Sequence, residues 1–192
     1  MLLTPPRPLS PPSPWIVRWH HLVPAGGRVL DVACGHGRHA YWLAAQGHPV
    51  TAVDRSGDAM ASLAPLAGHG AEIVQADIED GPWPFAGRGF DAVVVTNYLW
   101  RVRLPDVVAA VAPGGVLLYE TFAQGNETVG KPSRPDFLLQ PGELLRASAG
   151  LRVVAYEDGF LGQPEPRFVQ RIAAVRPNAA AADAPARHAL TA

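Results

Sequence analysis

The stretch from Arg28 to Ala40, R-V-L-D-V-A-C-G-H-G-R-H-A, constrains this chain more than any other. Val29, Leu30 and Val32 supply the β-branched and aliphatic run of a short buried strand, and Asp31 sits near its carboxyl end. Ala33, Gly35 and Gly37 then let the backbone pass close to a ligand before a helix begins. In an open α/β sheet, ligands bind beyond the carboxyl ends of the strands. A nucleotide-like cofactor is expected here.

The rest of the chain repeats that unit. A helix over His39 to Gln46 presents Ala40, Leu43 and Ala44 to the sheet and stops at Gly47. Strands follow over Pro49 to Asp54, Glu72 to Asp77, Phe90 to Thr96 and Val116 to Thr121. Helices are expected over Ser56 to Ala67, capped by Ser56 or Asp58, and over Asp106 to Val111, with a turn at Ala112 to Gly115. Strands alternating with helices specify a parallel sheet with right-handed crossovers. After a helix over Leu144 to Ala149, Leu151 to Glu157 and Arg167 to Arg176 read as two strands without a helix between them, which should pair antiparallel.

The ends differ from the middle. Residues 1–14 carry six prolines and form an arm that is extended or disordered. Trp15, Ile16, Trp19, His20 and Leu22 share one helical face, expected to pack on the sheet in preference to covering the cofactor cleft. The domain is expected over 15–176, and the Ala-rich 177–192 is read as a flexible tail. The single cysteine, Cys34, leaves no internal disulfide and fits a reducing, cytoplasmic compartment. No apolar run reaches the roughly 20 residues that span a bilayer, and the proline-rich start does not read as a signal peptide. A net charge of −1 provides no large basic face, so nucleic acid is not an expected partner.

Three acids fall at or near the first three strand ends: Asp31, Asp54 and Asp77. Any one alone can be a helix N-cap. Together they suit hydroxyls and cations. Asp54 can accept from both hydroxyls of a ribose, Asp77 from an exocyclic adenine amino group, and Asp31 can order the turn or meet a positive ligand end. Gly35 to Ala40 also fits the G-x-G-x-x-A dinucleotide fingerprint, with Asp54 19 residues beyond Gly35. A pyrophosphate there would face added negative charge from Asp31 and Asp77, whereas the sulfonium and ammonium of S-adenosylmethionine welcome it. Charge favours S-adenosylmethionine.

Asp31 to Gly37, Asp54, Ala76-Asp77, Phe90-Asp91 and Ala112 to Gly115 resemble the successive motifs of class I S-adenosylmethionine-dependent methyltransferases over about residues 28–175. Within them, G-H-G-R-H-A-Y-W-L-A-A-Q-G-H-P-V-T-A-V-D and F-L-L-Q-P-G-E-L-L are similar to the small tellurite-resistance and thiopurine type. The resemblance implies a three-layer, Rossmann-like α/β fold with a mostly parallel seven-stranded sheet and an antiparallel last strand. It also implies an enzyme that releases S-adenosylhomocysteine. Carried onto this chain, Asp31, Ala33, Cys34, Gly35 and Gly37 line the methionine half, Asp54 and Arg55 the ribose, and Ala76, Asp77 and Ile78 the adenine. Asn97 and Tyr98 lie beside the methyl group. Ala33 departs from the usual glycine, which is tolerated if the position has φ < 0.

Methyl transfer to a sulfonium-activated carbon needs positioning first and a base only for a protonated nucleophile. Asn97, Tyr98, Arg101 and Glu120 are the candidates for the reacting side, Arg101 with Arg103 as an anion site. The irregular Phe122 to Gln140 is expected to be a lid over the acceptor. The expected acceptor is a small molecule, a thiol or metalloid oxyanion among them. A macromolecular acceptor, a non-catalytic cofactor-binding scaffold and a dinucleotide oxidoreductase are the alternatives.

Overall fold

The computed structural model describes residues 5–178 and 186–190. Most of the Ala-rich tail, at 179–185 and 191–192, and the first four residues of the arm lie outside the described residues. Seven strands form one sheet: β1 (Val29–Val32), β2 (Val50–Asp54), β3 (Glu72–Gln75), β4 (Phe90–Thr96), β5 (Val111–Phe122), β6 (Arg152–Leu161) and β7 (Arg167–Val175). Five helices accompany them: α1 (Pro14–Trp19), α2 (Arg38–Ala45), α3 (Gly57–Ala67), α4 (Leu104–Ala109) and α5 (Glu143–Ala147). The strand order is β3-β2-β1-β4-β5-β7-β6. β1 to β5 pair in parallel, while β7 runs antiparallel to both neighbours. This is the α/β, Rossmann-like arrangement of class I methyltransferases.

Strand periodicity divides the core between two faces. Leu30, Val32, Val93, Val95, Leu117 and Ile172 point to the face shared with α4 and α5. Val29, Ala52, Val94, Val116, Leu118 and Ala173 point to the face under α1, α2 and α3. Trp15, Ile16 and Trp19 are buried there, so the tryptophan helix packs on the sheet. Trp15 Nε1 donates to the Ile172 carbonyl at 3.2 Å, and the Arg171 guanidinium lies 4.9 Å from its ring. Burying such side chains contributes about 2–3 kcal/mol each.

Several boundaries differ from the sequence reading, two of them for evident local reasons. β5 begins at Val111, because Ala112 to Gly115 forms a bulge inside the strand and not a turn before it. There Gly115 passes so close to β4 that a Cβ would lie 2.8 Å from the Phe90 carbonyl oxygen. α3 starts where Ser56, and not Asp58, caps it by accepting from the Ala59 amide. No helix among the described residues is long and apolar enough to cross a membrane.

Candidate functional site

The strand order reverses between β1 and β4, so the segments leaving their carboxyl ends diverge and leave a crevice. The crevice has two halves that meet at Ala33. The narrow half, about 140 Å³, is lined by Ala33, Asp54, Arg55, Ala76, Asp77, Ile78, Glu79 and Tyr98. The wide half, about 700 Å³, is lined by Ala33 to His36, Arg38, His39, Thr96, Asn97 and residues 7–10 of the arm.

The turn after β1 is held by its own backbone and by Asp54. Cys34 N–H donates to the Val53 carbonyl, Gly37 N–H to the Cys34 carbonyl, and Gly35 N–H to Asp54 Oδ2 at 2.9 Å. Ala33 has φ 52°, so the negative φ expected of it is not found. A side chain held in that left-handed region costs about 1 kcal/mol. Gly35 (φ 54°) faces the cleft, whereas Gly37 (φ 85°) caps α2 behind it, where a Cβ would collide with Leu63 of α3. Gly37 therefore serves the packing of α2 against α3 and lines neither half. Cys34 is buried, and burial pushes its thiol far up, which keeps it un-ionised.

The three acids differ in their remaining acceptor capacity. Asp54 accepts from Gly35 N–H and Ser56 N–H, leaving half of its roughly four lone-pair sites open. Asp77 takes the amides of Glu79 and Asp80 on Oδ1, which holds its carboxyl below the usual range and leaves Oδ2 open. Asp31 is buried and its Oδ2 has no partner. Burial pushes this carboxyl up to about 7, against the pull of the Ala40 amide and the Arg38 charge. Such an unpartnered buried acceptor calls for a cation or donor supplied from elsewhere.

Of the residues read as reacting groups, only Asn97 reaches the wide half. It sits in the left-handed region (φ 55°), and its N–H donates to the Glu120 carbonyl. Tyr98 turns into the narrow half instead, its hydroxyl buried without a partner and its pKa raised by burial. Glu120 lies beneath the cleft: Oε1 accepts from Ser13 Oγ at 2.9 Å, and Oε2 pairs with Arg171 at 3.2 Å. Arg101 lies outside both halves, because its guanidinium donates to both Glu143 oxygens and to the Asp136 and Leu138 carbonyls. Arg103 is likewise spent on the Ile78 and Gly81 carbonyls and Asp106.

The expected lid fares similarly. None of residues 122–140 lines either half. Arg101 and Asn126, which donates to the Pro132 carbonyl and accepts from Phe168 N–H, tie that segment down beside β7. The proline-rich arm takes the place at the cleft. Its anchor is Ser13, which donates its N–H to His39 Nε2 at 3.0 Å and its hydroxyl to Glu120. Because Nε2 accepts, the His39 proton resides on Nδ1, facing Thr96 Oγ1 at 3.3 Å. Burial and the Arg38 charge press the His39 pKa down to about 3. The place of the arm at the cleft carried no sequence signal, because Ser13 is anchored by partners 26 and 107 residues away.

Sheet order and crevice are those of the Rossmann-like methyltransferase fold, and the comparisons agree on that fold. Residues 29–115 match the family described as methyltransferase domain. It is similar to the fatty-acid O-methyltransferase of Mycolicibacterium smegmatis, 37% identical over 102 residues that cover 49% of this chain and 36% of that one. Among solved structures it resembles TehB from Haemophilus influenzae, with TM-score 0.65, 20% identity and coverage of 80% and 59% of the two chains. It also resembles the glycopeptide N-methyltransferase MtfA complexed with S-adenosyl-L-methionine, with TM-score 0.56, 20% identity and coverage of 80% and 89%. The chain spans about half or less of the length of the curated relatives it matches.

Proposed function

We propose that this chain transfers a methyl group from S-adenosylmethionine to a small-molecule acceptor, with a thiol or a metalloid oxyanion among the candidates. The observation that carries the reading is the set of three strand-end aspartates, each with acceptor capacity left open toward a cationic, hydroxyl-bearing ligand. Asp54 suits the ribose hydroxyls, Asp77 Oδ2 the adenine amino group, and Tyr98 with Ile78 the adenine face. Asp31 Oδ2 suits the ammonium, directly or through a water. Arg38, on the first turn of α2 and lining the wide half, suits the cofactor's carboxylate. The bound cofactor supplies a methyl already activated by the sulfonium. Asn97 and the turn Ala33 to Gly35 then orient it toward the space under the arm.

Acceptor positioning under the arm excludes water and aligns attack. The single unpaired cysteine accords with a cytoplasmic location. Calorimetric titration with S-adenosylmethionine, S-adenosylhomocysteine and NADH tests the cofactor. Both adenosyl ligands should bind, and Asp54→Ala should weaken them by about a hundredfold through the lost ribose bonds and the loosened Gly35 turn. Binding of NADH in their place would refute the reading.

A further inference from the structure

We infer that His36, in the turn after β1, is the general base that takes the proton from the acceptor, and that this acceptor is a thiol. The inference rests on the cofactor reading above and goes on to say in what state the acceptor enters.

His36 lines the wide half, together with Cys34, Gly35 and Asn97. Its Nδ1 lies 3.1 Å from the hydroxyl of Ser62, on the buried face of α3. Ser62 Oγ in turn lies 3.0 Å from the Asp58 carbonyl, one helical turn earlier. A hydroxyl has one proton, and a carbonyl can only accept. Ser62 therefore spends its proton on Asp58, and the hydrogen between Ser62 and His36 comes from Nδ1. Neutral His36 then carries a bare Nε2, which has no partner among the described residues. One ring nitrogen is fixed by a buried hydroxyl while the other is left open, the arrangement by which a third group orients a histidine base.

Among the described residues, no other group lining the wide half can take that proton. His39 Nε2 already accepts from Ser13 N–H, and its pKa is pressed down to about 3. Cys34 is held un-ionised by burial. Arg7 and Arg38 are cations, while Ser10, Thr96 and Asn97 are neutral. Asp31 and Glu120 are buried and line neither half.

That lone base selects the acceptor class. Methyl transfer needs a base only for a nucleophile that enters protonated. A metalloid oxyanion attacks with a lone pair that requires no proton to be removed. A thiol, with an ordinary pKa of about 8.5, is within reach of an imidazole base, whereas an aliphatic alcohol lies far above it. His36 Nε2 takes the S–H proton and leaves the acceptor sulfur as the attacking thiolate. The new sulfur–carbon bond forms as the bond from the methyl carbon to the sulfonium breaks, and that electron pair leaves with neutral S-adenosylhomocysteine. His36 is only half-buried, so its imidazolium returns the proton to solvent.

Nitrogen NMR spectra of the histidine rings in the full chain test where the proton sits. Above the titration range of histidine, the signals lost in His36→Asn should report a protonated Nδ1 and a bare Nε2. Turnover with S-adenosylmethionine tests the base, with 2-mercaptoethanol as a thiol mostly protonated at neutral pH and 4-nitrothiophenol as one already ionised. His36→Asn keeps a side-chain N–H for Ser62 but has no base. It should lower kcat/KM for 2-mercaptoethanol about a hundredfold and leave 4-nitrothiophenol within about threefold of wild type. The S-adenosylhomocysteine affinity and the thermal midpoint should not move. Equal slowing of both thiols marks a structural role and overturns the inference. It also falls if neither thiol slows, if the proton sits on Nε2, or if a chain that binds S-adenosylhomocysteine methylates neither thiol. Failure of S-adenosylhomocysteine to bind would instead overturn the cofactor reading, and the nitrogen spectra would still decide the tautomer on which the base depends.

Discussion

The two halves of the cleft are built on opposite electrostatic plans. The narrow half is rimmed by Asp54, Asp77 and the Glu79–Arg55 ion pair, which leaves a net acid rim, and is assembled from the ends of neighbouring strands. The wide half is rimmed by Arg7, Arg38 and two histidines, and it draws on the arm, the start of α2 and the end of β4. An acid rim favours hydroxyls and amino groups; an arginine rim favours carboxylates and oxyanions. A ligand with an adenosine at one end and an amino acid at the other is oriented by that gradient before any close contact forms. The junction, Ala33, is where such a ligand must cross from one half to the other.

The support of the wide half is also the easiest part to break. Glu120 is buried, and its side chain relies on Arg171 and on Ser13 of the arm. Arg171→Ala leaves that carboxylate buried without its counter-ion, which should cost about 3–5 kcal/mol of stability in urea unfolding. Under native conditions the narrow half should not register the change, so methylthioadenosine affinity should match wild type. Equal losses in both halves would mean that the two plans are not independent.

Arg101→Ala tests whether the segment after β5 belongs to this comparison at all. Removing four donors from partly exposed partners should destabilise the chain by about 2 kcal/mol. Neither S-adenosylhomocysteine affinity nor thiol turnover should change, because the segment lines neither half. A changed thiol turnover would restore the lid role expected of Phe122 to Gln140.

How far each half was legible follows from how local its causes are. The narrow half shows in the sequence because an aspartate at a strand end has few places to go, and three in register reveal a rim. Strand positions and directions followed from β-branched runs such as Val93 to Val95 and from the absent helix between β6 and β7. The wide half was legible only at Ala33, Cys34, Gly35 and Asn97, and its outer wall was not. The prolines of the arm exclude helix and ladder but do not say where an extended chain lies. Glu120 and Arg101 look catalytic in one dimension because their partners, Ser13, Arg171 and Glu143, lie 42 to 107 residues away.

Two buried groups near the turn titrate with opposite signs. His39 has a folded pKa of about 3 against about 6.5 unfolded, so the stability it contributes is present above pH 6.5 and is lost as pH falls toward 3. Asp31 has a folded pKa of about 7 against 3.8, so its contribution is full below 3.8 and is lost as pH rises through 7. Between about pH 4 and 6.5 the two slopes oppose and nearly cancel, each being about 1.4 kcal/mol per pH unit. Urea midpoints should therefore be flat for wild type in that window. They should fall with acid in Asp31→Asn and rise with acid in His39→Gln. Parallel profiles for the two variants would show that neither group titrates as its burial implies.

The smallest expected effect lies at the junction itself. Ala33 holds φ 52° where a glycine would be unstrained, and relief of a left-handed side chain returns about 1 kcal/mol. Glycine surrenders about 0.5–1 kcal/mol of that through the greater freedom of the unfolded chain. Ala33→Gly should therefore change stability by less than about 0.5 kcal/mol, near the limit of a denaturant titration. Binding is the sharper readout. If Ala33 only lets the backbone turn, S-adenosylhomocysteine and methylthioadenosine should bind the variant as they bind wild type. A loss confined to S-adenosylhomocysteine would mean that the Ala33 methyl steers the amino-acid end into the arginine-lined half. An equal loss of both ligands would place the methyl against the adenosine and move the boundary between the two plans by one residue.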